Sequence, residues 1–190
     1  TEPSLRGILH TLQFRIRFAI IPRISTPMIP RNGSQHRCFA RILHTLTKRL
    51  ALGTVQFGLP YGIANQAGQV SRDEANSILS HAWAMGVDTL DTAIAYGESE
   101  QLLGDIGIGQ WQIISKLSAV HESCTDVAAW VQESVRSSLE RLRVPKLRGL
   151  LLHRPQQLLG AHGDALFRAL VAMKDQGKVE RIGVSIYDPS

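Results

Sequence analysis

The chain has 190 residues, 44% of them hydrophobic, with 21 Lys and Arg against 16 Asp and Glu. That apolar share supports a buried core, which excludes a wholly disordered chain, and the length fits one domain with an appendage. Cys38 and Cys124 are too few and too far apart for a disulfide scaffold or a clustered zinc site, and no apolar run approaches the ~18 residues of a membrane span.

The charge divides the chain. Residues 1–50 carry nine Lys and Arg and one acid, Glu2, a net of +8; residues 51–190 carry twelve against fifteen, a net of −3. A surface built to follow phosphates would be basic on its folded body, so no nucleic acid is expected as a partner. Pro22, Pro27 and Pro30 punctuate the first stretch, and Arg31-Asn32-Gly33-Ser34 reads as a turn. Ile8 to Leu12 recurs as Ile42 to Leu46, an echo too short to be a repeat architecture. An Arg-rich, acid-poor stretch fits an extension with no function of its own, an organelle-targeting segment and a phosphate-binding arm. The first is the expectation: residues 1–47 form a disordered or non-native extension, residues 48–190 form the domain, and the location is cytoplasmic. The chain opens on Thr1 rather than Met, so a missing or processed start is expected.

From Arg49 onward strands alternate with helices. Leu50 to Phe57 is a short apolar run closed by Gly58-Leu59-Pro60-Tyr61-Gly62. Ser71-Arg72-Asp73-Glu74 has the form of a capping box, and Ala75, Ile78, Leu79 and Ala82 follow it at helical spacing until Gly86. Val87 to Asp91 reads as the second strand, Ser99 to Ile106 as a short helix, and Trp111 to Lys116 as the third strand. Thr125 to Leu142 reads as a long helix with Ala128, Val131, Val135, Leu139 and Leu142 on one face. Leu147 to His153 is the fourth strand, and Leu150-Leu151-Leu152 is too continuously apolar for a sheet with a wet face. Asp164 is expected to cap a helix through Met173 and Lys174 that ends at Gly177, and Arg181 to Tyr187 is the fifth strand. This order predicts a parallel sheet of α/β architecture.

Polar residues sit where the strands stop: Asp91, Lys116, His153 and Ser185, with Tyr96 in the loop after Asp91. Singly, such residues read as snorkelling strand ends or satisfied surface groups. Four at consecutive strand ends read as a site, because a (β/α)₈ barrel gathers all these ends on its active face. A carbonyl that receives hydride develops negative charge on oxygen and needs a proton donor. A phenol beside a Lys ammonium can be that donor, a carboxylate can fix the Lys, and a His can donate to the same oxygen. The set reads as carbonyl reduction.

Asp91-Thr92-Ala93-Ile94-Ala95-Tyr96-Gly97-Glu98-Ser99-Glu100 resembles the D-T-A-x-x-Y-G-x-S-E signature of the aldo/keto reductases. Leu52-Gly53-Thr54 with Phe57-Gly58, Ile114-Ser115-Lys116, Leu151-Leu152-His153 and Gly183-Val184-Ser185 resemble further family motifs in the right order. The resemblance covers about residues 49–190. It implies part of a (β/α)₈ barrel, its first five strands and four helices, and an oxidoreductase that prefers NADPH, with NADH as the other option. By the same resemblance Tyr96 is the general acid, Lys116 its pKa-lowering partner, Asp91 the anchor of Lys116, and His153 the substrate-orienting donor. Gly53, Thr54, Asp91 and Ser185 line the cofactor, and no metal is implied. The substrate is a small aldehyde, ketone or sugar carbonyl.

A full barrel of this kind runs to roughly 250 residues and eight strands, and this chain stops just after its fifth. The resemblance therefore puts the cofactor-phosphate strands outside the chain. The inward faces of Leu50, Ile113, Leu151 and Ile182 are expected to lack an opposing wall, which costs several kcal/mol at about 25 cal/mol per Å². Weak NADPH binding and self-association through open barrel edges are expected in consequence. Two alternatives stand beside the reductase: a non-catalytic nicotinamide-binding module of the same fold, and an inactive gene fragment.

Overall fold

The structure, a computed structural model, describes residues 50–62 and 68–186. The expected basic extension, 1–47, and the Tyr187 end of the fifth strand lie outside the described residues. Five strands, β1 (Leu52–Gly53), β2 (Thr89–Asp91), β3 (Gln112–Leu117), β4 (Gly149–Leu152) and β5 (Ile182–Val184), form one sheet in sequential order. Every pairing is parallel. A single helical turn, α1 (Val55–Gly58), and α2 (Arg72–Ala84) join β1 to β2. The later connections are α3 (Ser99–Ile106), α4 (Val127–Leu142), and a 3₁₀ helix (Pro155–Leu159) followed by α5 (Gly163–Asp175). No helix among the described residues is long and apolar enough to cross a membrane.

Local chemistry explains most boundaries. The Ser71 side chain accepts from the Glu74 backbone N–H at 3.3 Å and starts α2, and Gly86 follows its end at φ 86°. Asp126 caps α4 by accepting from Ala129 N–H at 2.9 Å. That start makes Val127, not Ala128, the first buried residue of the α4 stripe, which continues through Val131, Val135, Leu139 and Leu142. Asp164 does not cap α5. The helix begins a residue earlier at Gly163, where a Cβ would lie 2.1 Å from the Leu158 carbonyl oxygen, and Asp164 falls in the first turn. There its charge still favours the helix N-terminus. The first apolar run also divides: Thr54 leaves strand geometry after Gly53, its N–H donating to the Asp91 carbonyl at 3.0 Å, and the next four residues coil into α1.

Paired residues of a parallel sheet point to the same face. Register therefore places Gly53, Asp91, Ile114 and Gly149 on one face with Lys116, Leu151 and Gly183. Leu90, Ile113, Leu150 and Leu152 point the other way, into the core shared with Leu79, Leu103, Val131, Val135, Leu166 and Met173 of the helices. The expectation of four uncovered inward residues is corrected here. Ile113 is buried in the helix-side core, and Leu50 and Ile182 pack against it. Only Leu151 of the four lies on the opposite face, and it is 5% exposed. Its Cδ2 stands 3.0 Å from where a Gly183 Cβ would be, so the missing side chain gives Leu151 room against the sheet.

Candidate active site

Two glycines decide where Tyr96 sits. A Cβ on Gly58 would lie 1.8 Å from the Tyr96 carbonyl oxygen and 2.5 Å from the Ser99 nitrogen, so only glycine lets α1 approach the loop after β2 this closely. Gly97 has φ 54°, and a Cβ there would fall 2.4 Å from the Gly58 carbonyl oxygen. The loop is closed by Tyr96 N–H donating to Ala93 and Ser99 N–H donating to Tyr96, each at 3.0 Å. Behind it three buried hydroxyls interlock. Ser99 donates to the Thr54 carbonyl at 2.9 Å and lies 3.0 Å from Thr54 Oγ1, which itself donates to the Asp91 carbonyl at 3.1 Å. Thr92 Oγ1 is 3.3 Å from Ser99 Oγ.

Lys116, at the end of β3, is 1% exposed and reaches across to this loop. Its Nζ donates to Asp91 Oδ2 at 2.7 Å, to the Thr92 carbonyl at 3.0 Å and to the Tyr96 hydroxyl at 3.3 Å. Asp91 is as deeply buried, and its Oδ1 has no hydrogen-bond partner among the described residues. His153, half-buried just past β4, meets the Tyr96 ring edge to face with centroids 5.9 Å apart and planes at 81°. A bidentate amide ties the segments that follow Lys116 and His153. Gln157 accepts from Val120 N–H at 3.1 Å and donates to the Val120 carbonyl at 2.9 Å.

The charges are held against their solvation. Burial pushes the Asp91 carboxyl above its ordinary value, against the pull of the Lys116 charge and hydrogen bond. Burial pushes the Lys116 ammonium down, opposed by Asp91. His153 is lowered by burial first and by the Lys116 charge second. A buried ammonium beside a phenol oxygen favours the phenolate, so this arrangement can pass a proton from the ring oxygen to a basic oxygen in front of it.

The structure thus brings Asp91, Tyr96, Lys116 and His153 together. Of the residues expected along a cofactor, Gly53 is exposed, with nothing within 4 Å of where a Cβ would stand, and Ser185 is 7% exposed at the end of β5. Thr54 is fully buried, its hydroxyl spent on Asp91 and Ser99. Sequence reasoning missed a second cluster. Glu100, 1% exposed, accepts from Ser115 and Ser138 at 2.7 Å each on Oε1, and from Arg141 Nε at 3.0 Å and Nη2 at 2.7 Å on Oε2. The available signal was Ser138 and Arg141, one turn apart beside an apolar stripe. Among the described residues no group of three or more His, Cys, Asp or Glu could hold a metal ion.

The family model described as the aldo/keto reductase family matches residues 49–190. A solved structure from Pseudomonas aeruginosa, titled an aldo-keto reductase, is 32% identical with a TM-score of 0.60, covering 71% of this chain and 54% of that one. An aldo-keto reductase of Klebsiella pneumoniae in complex with NADPH is 26% identical with a TM-score of 0.54, covering 73% of this chain and 45% of that one. A Bacillus halodurans aldo-keto reductase in its holo form, 20% identical with a TM-score of 0.58, covers 74% of this chain and 46% of that one and shares the fold. The chain spans about half the length of these solved relatives. No curated protein matches.

Proposed function

The chain belongs to the aldo/keto reductase family, and from that premise we propose that its site reduces the carbonyl of a small aldehyde, ketone or sugar with NADPH. The observation that carries the reading is the Lys116 ammonium lying 2.7 Å from a buried carboxylate and 3.3 Å from a phenol. The residues suit a nicotinamide. Asp91 offers a buried oxygen that has no partner among the described residues, Gly53 leaves its surface open, and Ser185 brings a hydroxyl to the end of β5. These three would hold that end of the cofactor, which when bound supplies the hydride.

Each side chain then has one task. Tyr96 donates its phenolic proton to the carbonyl oxygen as negative charge gathers there. Lys116 stabilises the phenolate left behind. Asp91 keeps the ammonium charged and aimed. His153, packed edge to face with the phenol, hydrogen-bonds the same oxygen and orients the substrate.

The test is carbonyl-dependent loss of NADPH absorbance, at saturating cofactor, for the parent chain and for Tyr96→Phe. The variant keeps the ring and removes only the donor. It should bind NADPH as the parent does and reduce a test aldehyde roughly 10²-fold more slowly or worse. Equal rates would move the acid role elsewhere, first to His153.

A further inference from the structure

The 3.3 Å approach of the Tyr96 hydroxyl to Lys116 Nζ joins groups from two different strands. It depends on how the loop after β2 is fastened to β3. On the near side of Tyr96 the fastening is backbone: Thr92 N–H donates to the Ile114 carbonyl at 2.9 Å and Ile94 N–H to the Lys116 carbonyl at 3.1 Å. On the far side it is a side chain. Glu100, four residues past Tyr96, accepts the Ser115 hydroxyl at 2.7 Å. Ser115 and Lys116 are neighbours on β3 whose side chains leave opposite faces. The Tyr96 loop is thus held on both sides to one short stretch of a single strand.

We infer that Glu100 is a positioning residue, which sets the Tyr96 phenol against the Lys116 ammonium by fastening the far side of the loop to Ser115. The inference rests on the reading of Tyr96 and Lys116 as a working pair. Glu100 has two separable attachments. Its pair with Arg141 and its bond to Ser138 join α3 to α4 and serve the fold. Its bond to Ser115 reaches the strand that carries Lys116.

The experiment is alkaline titration of phenolate absorbance in the full chain, with circular dichroism marking the range in which it stays folded. The chain has three tyrosines, so subtracting the titration of Tyr96→Phe isolates Tyr96. Ser115→Ala removes the tether and leaves the Arg141 pair. It should raise the Tyr96 midpoint by at least about half a pH unit, as the phenol drifts from the ammonium. Glu100→Gln keeps a hydrogen-bonding group towards the serines and loses the charge opposite Arg141. It should lower Tm more than Ser115→Ala and move the Tyr96 midpoint less. Arg136→Ala, on the exposed face of α4, should move neither. An unchanged midpoint in Ser115→Ala would overturn the positioning role, and a larger shift in Glu100→Gln than in Ser115→Ala would overturn its route through Ser115. Lys116→Met tests the pair itself: a midpoint equal to the parent's would defeat the reading of Tyr96 and Lys116, whatever Glu100 does.

Discussion

Asp91 and Glu100 are both carboxylates, both 1% exposed, and they engage adjacent residues of the same strand. Asp91 meets Lys116 on the face of the sheet turned away from the helices, and its Oδ1 has no hydrogen-bond partner among the described residues. Glu100 meets Ser115 on the helix face and uses both oxygens on four donors. A buried acceptor that finds no partner costs free energy, so natural folds rarely leave one unless something else uses it. The fully satisfied carboxylate ties α3 to α4 and to β3. The half-satisfied one is the carboxylate of the proposed site.

Removing each group separates the two. Glu100→Ala strips four hydrogen bonds, leaves two buried serine hydroxyls unpaired, and frees an arginine that is one-third exposed. Chemical denaturation should register a loss of about 3–5 kcal/mol, the scale for breaking a buried pair. Asp91→Asn keeps an acceptor for Lys116 and removes a charge that burial already disfavours. Lys116 is itself buried, so losing its counter-charge should cost up to about 3 kcal/mol of stability, less where the ammonium sheds its proton. Carbonyl reduction should fall roughly 10²-fold, equivalent to about 2.7 kcal/mol of barrier. A Glu100→Ala protein of parent stability, or an Asp91→Asn protein of parent rate, would break the comparison.

Much of this division was written in local sequence. The capping box at Ser71, the span of α3 and the polar residue at each strand end follow from one segment at a time. Face assignment did not. Ile113 and Ile114 are equally apolar neighbours, and only the pairing of Ile114 with Asp91 and Gly149 shows which one shares a face with Lys116. The Glu100 cluster was hidden for a related reason. Its members stand at positions 100, 115, 138 and 141, and a hydrogen bond between distant segments leaves no periodicity to read. Glu100 lay inside the motif that carried the family resemblance, yet its partners did not.

Glycines sharpen the comparison at smaller scale. Gly58→Ala must displace backbone, since the new Cβ meets the Tyr96 carbonyl at 1.8 Å. It should cost about 1–3 kcal/mol, the usual range for overpacking, and slow catalysis by moving Tyr96. Gly53→Ala meets nothing within 4 Å, so the fold should hold within about 0.5 kcal/mol. If Gly53 lines the nicotinamide, the same methyl should weaken NADPH binding, read by titration of cofactor fluorescence. Unchanged affinity would remove Gly53 from the cofactor surface and leave Asp91 and Ser185 there.

The smallest expected effect is a pH dependence carried by His153. Burial, and then the Lys116 charge, hold its imidazolium below the ordinary value of 6.5. Between the folded value and 6.5 the unfolded chain binds more protons at this residue than the native protein does. Stability must therefore rise with pH through that window and fall as the solution is acidified towards the folded value. Above 6.5 both states are neutral here and the dependence vanishes. Asp91 contributes a slope of the opposite sign from its ordinary value of 3.8 upward, because its carboxyl is raised by burial. The two can be told apart with His153→Gln, which retains hydrogen-bonding capacity and cannot titrate. Urea midpoints of the parent and the variant, measured from neutral pH down through 6.5, should differ by an amount that changes with pH, the parent losing stability on acidification relative to the variant. Parallel curves would show that His153 titrates as an ordinary exposed imidazole, outside the influence of Lys116, and would weaken its assignment to the site.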